Sequence, residues 1–188
     1  MMLRPALKIS SVLVLLSGLT VAAGAQEAAP AAAAPAAPAI TFTGGASSIS
    51  ETHGDWTMIC GVQGKKVCVI TQTLGDSQSG QRIVTVEFEA AGSGVEGTLM
   101  MPFGLRLSEG VRTQIGGVTV GKTAAFASCY DRGCMAAFSM DAEVTNLLKR
   151  GQDLNLIAIA DDSGENVQVK ASLTGFTSAL ARSIELTK

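Results

Sequence analysis

The sequence is poor in the residues that most often build catalytic and nucleic-acid sites. It contains a single histidine, His53, and its aromatic residues amount to 4% of the chain. A lone histidine beside a flexible segment is more typical of a surface position than of a general base. So few aromatic side chains cannot form the stacking platforms that bind sugars or single-stranded nucleic acid. We therefore expect neither histidine-based catalysis nor recognition by stacking.

Familiar catalytic and cofactor motifs are also missing. There is no G-x-S-x-G and no H-E-x-x-H, and the glycines of "GDSQSG" (75–80) lack the arrangement of a phosphate-binding loop. The carboxylate pairs have ordinary interpretations: Asp161-Asp162 lies in a predicted turn, and Glu87 and Glu89 lie on the solvent face of a predicted strand. We expect no catalytic residue, no cofactor and no bound metal. A hydrolase whose triad is assembled from distant residues stays an open alternative.

The charge balance argues against two further classes of partner. The formal net charge of −2 includes Arg4 and Lys8 of the N-terminal segment, without which 12 basic residues face 16 acidic ones, a net of −4. No basic cluster interrupts this mild acidity. Nucleic acid and anionic membrane surfaces both need concentrated positive charge. We therefore expect the partner to be a protein, of the cell envelope or of a host surface.

Residues 1–25 have the pattern of a secretory signal peptide. A cationic start is followed by an apolar run from about Val12 to Val21 and by Ala-Gly-Ala at 23–25, the small-residue pattern of a cleavage site. The run is too short for an ordinary membrane span, and no later run approaches that length. A retained anchor helix is the alternative. We expect cleavage near Gln26, no stable membrane span afterwards, and a periplasmic or extracellular location.

The mature chain divides into a tether and one domain. Residues 26–50 are rich in alanine and proline and carry almost no charge or large side chains. Such a composition cannot bury enough apolar surface to offset the entropy of ordering, which predicts a disordered tether. Residues 51–188 have the length of a single domain.

Four cysteines lie within the predicted domain: Cys60, Cys68, Cys129 and Cys134. An even number in an exported chain indicates disulfides, and four cysteines allow three pairings. Local pairing, Cys60 with Cys68 and Cys129 with Cys134, is favoured because each pair flanks a turn-rich segment between strand-like runs. Zinc ligation and redox catalysis are the weaker alternatives, since both want C-x-x-C spacing. The cysteines are thus interpreted as staples.

The hydrophobic pattern predicts a mainly β domain. Short apolar or alternating runs recur through the chain, with a two-glycine hairpin signal at 116–117. The strongest runs cover residues 55–62, 66–74, 82–90 and 95–107, the last interrupted at Pro102. Seven or more such strands indicate an antiparallel β-sandwich.

One or two short helices complete the expected fold. Asp141 is a predicted N-cap, Glu143 lies in the first turn, and Gly151 follows two basic residues of the last turn. Near the end of the chain, Phe176 and Leu180 have helical spacing and predict a closing helix.

The order of these motifs resembles the invasion-associated locus B family of exported bacterial proteins. The resemblance rests on "GDWTMIC" (54–60) and Cys68, "MPFGLRLSEGV" (101–111), "CYDRGC" (129–134) and "SLTGFTSAL" (172–180). It covers about residues 50–185.

The resemblance implies an Ig-like β-sandwich, a place in the periplasm or outside the cell, and in some pathogens a link to host-cell entry. It implies no catalytic residue, because the matched positions are those that make folds. They are Cys60, Cys68, Cys129, Cys134, Gly54, Gly104, Gly133, Gly175, Pro102 and Trp56.

Two functional hypotheses follow. The first is a non-catalytic envelope or secreted protein that acts by binding, as a host-cell interaction or invasion factor. The second is a periplasmic housekeeping protein in envelope assembly or stress tolerance.

Overall fold

The computed structural model of the chain describes residues 40–75 and 82–188. Within them the fold is mainly β, with ten strands and two α-helices. The strands are β1 (Ser48–His53), β2 (Trp56–Val62), β3 (Lys66–Gly75), β4 (Arg82–Ala91), β5 (Gly94–Met101), β6 (Val111–Ile115), β7 (Val118–Tyr130), β8 (Gly133–Met140), β9 (Asp153–Ile159) and β10 (Asn166–Ser172). The helices are α1 (Ala142–Arg150) and α2 (Phe176–Leu186).

The expected two stacked sheets of an Ig-like sandwich are not confirmed. Within the described residues all ten strands join one curled antiparallel sheet, in the order β1-β2-β3-β4-β5-β8-β7-β6-β9-β10. The reason lies in β7, which is 13 residues long. Its first half pairs with β6 and its second half pairs with β8, and a register shift between Phe126 and Ser128 interrupts the second ladder. One bent strand thus links segments that a sandwich would keep apart.

Local signals predicted several elements correctly. The side chain of Asp141 accepts a hydrogen bond from the backbone N–H of Val144 at 2.9 Å, which is the expected N-cap of α1. Gly116 and Gly117 form the turn between β6 and β7, and both have positive φ, as a tight hairpin turn requires. Strand β5 ends directly before Pro102.

The core lies between the inner face of the sheet and α2. Trp56 is fully buried, and its ring centroid lies 5.5 Å from those of Phe88 and Phe176. Phe88 in turn packs edge-on against Phe138 and Phe176, with centroids 5.1 Å apart in each pair. Edge-to-face packing of this kind adds to the free energy gained from burial alone. The single tryptophan therefore holds the helix to the sheet.

A side-chain clamp joins β3 to β10, the last strand of the curled sheet. The buried amide of Gln72 on β3 accepts a hydrogen bond from the N–H of Ser172 on β10 at 2.9 Å and donates to the carbonyl of Ser172 at 3.0 Å. Trp56 Nε1 donates to the same carbonyl at 2.9 Å. Nearby, Gly54 and Gly175 cross so closely that a Cβ atom on either would overlap the other backbone.

The folded part begins earlier than the sequence indicated. Strand β1 starts at Ser48, a short 3₁₀ turn covers Thr43–Gly45, and Phe42 is buried in the core. The predicted boundary at Glu51 therefore lies inside a strand, because "SISETH" is too polar to be recognised without its partners. The predicted signal peptide and the first part of the tether lie outside the described residues.

Candidate functional site

The four cysteines form two local pairs. Cys60 and Cys68 are directly opposed on β2 and β3, with their sulfur atoms 2.02 Å apart. Cys129 and Cys134 are opposed on β7 and β8, with an S–S distance of 2.01 Å. This is the pairing that the sequence favours, and it leaves no free thiol among the described residues.

The two disulfides do not converge on one site. Their strands β3 and β8 are separated by β4 and β5 in the sheet. Three steps across the sheet cover about 14 Å, and Cys134 also lies five residues along β8 from Ser139, which shares a row with Val69 next to Cys68, so the two pairs are roughly 20 Å apart. Cys60, Cys68 and Cys134 are buried, whereas Cys129 is exposed. Each bridge therefore lies within its own hairpin.

His53, the single histidine of the sequence, belongs to a small charged cluster on β1 and α2. His53 Nε2 lies 3.3 Å from Oε2 of Glu51. The guanidinium of Arg182 donates to both carboxylate oxygens of Glu51, at 3.0 and 3.1 Å, and also pairs with Glu185 at 3.0 Å. These hydrogen bonds lower the pKa of Glu51 below its usual value, and Glu51 raises the pKa of Arg182.

The role of this cluster is best explained as structural. Both carboxylate oxygens of Glu51 are occupied by Arg182, a geometry that holds the edge strand β1 against α2. Across residues 40–75 and 82–188, every buried side-chain nitrogen or oxygen has a hydrogen-bond partner. The same ranges contain no group of three or more potential metal-ligating side chains.

The outer face of the sheet, opposite α2, carries two adjoining depressions. One of about 330 Å³ is lined by Val69 on β3, by Glu87 and Glu89 on β4, and by residues of β5 and β8. The other, about 180 Å³, lies between β4, β5 and β8. They share Glu87 and Thr98. We call them together the outer groove, defined by Glu87, Glu89, Glu96, Thr98, Met100 and Ala137.

The sequence revealed only part of this groove. The prediction that Glu87 and Glu89 lie on an exposed strand face is confirmed. The position of Glu96 could not be read, because Glu96 faces Glu89 only through the register of β4 and β5. Alternation within each strand would have been the available signal, but it says nothing about which strands are neighbours.

A second surface consists of exposed apolar side chains at one end of β5 and β8. Phe103 is 60% exposed and Tyr130 is 53% exposed. Met101 pairs with Cys134, and the backbone of Gly133 abuts the carbonyl of Met101, so the loop after β5 adjoins the cysteine hairpin. From the sequence alone, both segments are interpreted only as motifs that make the fold.

A membrane-crossing helix is not found in the part of the chain that the structure describes, since none there combines the necessary length and apolar character.

Comparison with known proteins agrees with the motif pattern. Residues 56–183 match the family model described as "Invasion associated locus B (IalB) protein". An invasion protein B homologue of Brucella abortus (strain 2308) is 40% identical over 152 residues, which cover 80% of this chain and 87% of that protein. Invasion protein B of Bartonella bacilliformis is 30% identical over 171 residues, which cover 89% and 90%.

A solved structure extends the similarity to the fold. The crystal structure of invasion associated protein B from Bartonella henselae superimposes with a TM-score of 0.69 at 28% sequence identity, covering 73% of this chain and 96% of that one. In the sequence matches and in the structural match alike, the aligned region covers most of this chain and most of the related protein. The chain therefore belongs to the invasion-associated locus B family.

Proposed function

We propose that this chain is an exported, non-catalytic binding protein of the bacterial envelope or exterior that takes part in host-cell entry. The observation that carries the proposal is the 40% identity to an invasion protein B homologue over 80% of the chain. A second relative, from another genus, is named invasion protein B and matches over 89% of the chain.

The disulfides support the exported state. Structural disulfides persist in oxidising compartments and are rare in the reducing cytosol. Both bridges close hairpins of a sheet, at Cys60–Cys68 and Cys129–Cys134. The signal-like residues 1–25 give the same indication from the opposite end of the chain.

The absence of a catalytic residue is part of the proposal. His53 is only 18% exposed, and Glu51, which it contacts, is held by Arg182. A general base needs access to a substrate proton, and this histidine is packed beside a structural ion pair. The partner would then bind to the faces of the sheet or to the loops.

The test is complementation of a deletion strain. We expect deletion to lower the number of bacteria that enter cultured host cells, and the intact gene to restore it. A gene lacking codons 2–25 should not restore entry, whereas His53→Ala should restore it fully. Unchanged entry after deletion, with the protein confined to the periplasm, would contradict a host role.

The housekeeping alternative has its own readout in the same strains. An envelope function predicts increased sensitivity of the deletion strain to detergent, with entry unaffected. If detergent sensitivity and entry are both unchanged, both hypotheses are wrong. If His53→Ala abolishes complementation at normal protein level and thermal stability, the non-catalytic proposal is wrong.

A further inference from the structure

The outer groove has a regular construction from three rows of opposed residues. Its central row runs Thr71, Glu87, Thr98 and Ala137 across β3, β4, β5 and β8. The flanking rows are Val69, Glu89, Glu96 and Ser139 on one side and Thr73, Thr85, Met100 and Met135 on the other. The short threonine and alanine side chains of the central row form the floor of the groove. The longer methionine and valine side chains lie in the flanking rows.

Negative charge is concentrated in these rows. They contain three glutamates and neither lysine nor arginine. Glu89 and Glu96 are directly opposed across β4 and β5. Like charges in this relationship destabilise a sheet. The opposed glutamates therefore lower the free energy of unfolding of the chain when no partner is bound.

Little inside the chain compensates this charge. Thr98 donates a hydrogen bond to Glu87 at 3.2 Å. Among the described side chains no salt bridge reaches Glu87, Glu89 or Glu96. Arg132 lines the far end of the smaller depression, and Lys65 and Lys66 line a neighbouring cavity that also touches Glu89. None of these cations forms an ion pair with the three carboxylates.

The groove also offers apolar contact on a rigid support. Met100 and Met135 are directly opposed and half-buried, and Val69 and Ala137 line the larger depression. Methionine side chains adapt their shape to a bound surface at low cost. The strands beneath are central in the sheet, so no edge needs to open for a ligand to bind.

We propose that the outer groove is the docking surface for a cationic, partly apolar segment of a partner protein. The proposal rests on the binding function proposed above and names the surface and the chemistry of the partner. Charge complementarity selects the occupant: lysine or arginine would face Glu87, Glu89 and Glu96, while aliphatic or aromatic neighbours contact the two methionines. An anionic membrane surface or a nucleic acid would be repelled from this face.

The first test uses synthetic peptides and the full exported protein. The probe is a 12-residue peptide that combines lysine with leucine and tyrosine, and the comparison peptides are the same sequence with glutamate for lysine, and oligolysine. We expect the lysine–leucine–tyrosine probe to bind, the glutamate peptide not to bind, and oligolysine to bind weakly and be released by 0.5 M salt. Backbone NMR shifts on binding should centre on Val69, Thr98 and Ala137.

The decisive comparison is between two triple variants with equal charge change. E87Q/E89Q/E96Q neutralises the groove, and E109Q/E143Q/E165Q neutralises three exposed carboxylates elsewhere. We expect the groove variant to weaken binding about tenfold, the summed effect of three exposed charge pairs, and the control variant to leave it unchanged. Equal dissociation constants for the two variants, or equal binding of the glutamate peptide, would overturn the proposal.

Folding of the groove variant has a separate check. Because Glu89 and Glu96 repel each other, E87Q/E89Q/E96Q should melt at the same temperature as the wild type or higher. Ala137→Arg places a bulky cation at an exposed position of the groove and should abolish probe binding without unfolding the sheet. Unchanged probe binding in folded Ala137→Arg would contradict the assignment of this surface.

The proposed function and the groove can fail independently. Suppose that deletion lowers host-cell entry and that the groove variant restores entry as well as the wild type does. The proposed function is then supported, and the proposal that the outer groove is the docking surface is wrong. If deletion has no effect but the probe binds with the expected charge dependence, the groove stands and the host role is wrong.

Discussion

Gln72 and Ser172 lie 100 residues apart in the sequence and share two hydrogen bonds, in which the Gln72 amide serves as both donor and acceptor. The amide of Gln72 thereby takes the place of a strand partner for the end of β10. The contact joins β3 to the terminal strand β10 at the carbonyl to which Trp56 also donates. It is made by a buried side chain, so its loss cannot be compensated readily by water.

Replacement of this clamp should be costly. Gln72→Leu leaves the N–H of Ser172 without its partner in a part-buried setting, and we expect a loss of about 1–3 kcal/mol in the free energy of unfolding. Urea denaturation measures it. Gln168→Leu, on the exposed side of β10, is the control and should change stability by less than about 0.5 kcal/mol. Similar losses in the free energy of unfolding for the two variants would show that the hydrogen bonds of Gln72 do not stabilise the fold more than an exposed side chain does.

The disulfides should differ in their contribution. By loop-closure entropy alone each of these small loops is worth about 2–2.5 kcal/mol. Both Cys60 and Cys68 are buried, whereas Cys129 is exposed, so removal of the first pair also loses core packing. We expect C60A/C68A to destabilise more than C129A/C134A, as measured by denaturation under non-reducing conditions. A smaller loss from C60A/C68A would contradict this reasoning.

Stability should depend on pH through Glu51. The hydrogen bonds from Arg182 lower the pKa of Glu51 below its ordinary value of 4.5. The charged carboxylate therefore stabilises the fold fully above about pH 4.5, and this contribution is lost as the pH falls through the lower pKa of the folded state. Glu51→Gln should reduce the free energy of unfolding at pH 7, and its curve should approach that of the wild type in acid.

The control for this pH effect is Glu165→Gln, an exposed carboxylate in the turn before β10. Its stability curve should follow the wild type throughout. If Glu51→Gln and the wild type differ by the same amount at pH 7 and at pH 3, the pair with Arg182 is not the source of the pH dependence.

The N-cap of α1 provides a test of local structure. Asp141→Ala removes the acceptor for the N–H of Val144 and should cost about 1 kcal/mol in the free energy of unfolding. Asp141→Asn keeps an acceptor and should retain most of the stability. Equal losses in the two variants would indicate that charge, and not the hydrogen bond, stabilises this helix end.

Elements with local signals could be predicted from the sequence, and long-range pairing could not. The helix after Asp141 and the hairpin at Gly116–Gly117 are encoded within a few residues. The pairing of β5 with β8 and of β6 with β9 joins strands that are not consecutive, and no local pattern specifies such neighbours. The mainly β, antiparallel fold could for this reason be predicted, whereas the expected sandwich arrangement of its strands is not confirmed.

The candidate site shows the same division. Local cysteine pairing followed from short spacing across turns. The outer groove depends on which glutamates face each other across β4 and β5, and this is set by register. The first half of strand β1 falls within the predicted tether, because its polar sequence carries no strand signal of its own and the strand is held by the contact of Glu51 with Arg182, 131 residues away.

The proposed function requires that this chain is exported and that its cysteines brace two hairpins and perform no reaction. Non-reducing peptide mapping by mass spectrometry, on protein taken from the periplasmic and culture fractions of its own bacterium, tests that claim most directly. The account predicts a chain that starts near Gln26, with Cys60 linked to Cys68 and Cys129 linked to Cys134. An uncleaved chain with four free thiols would contradict it.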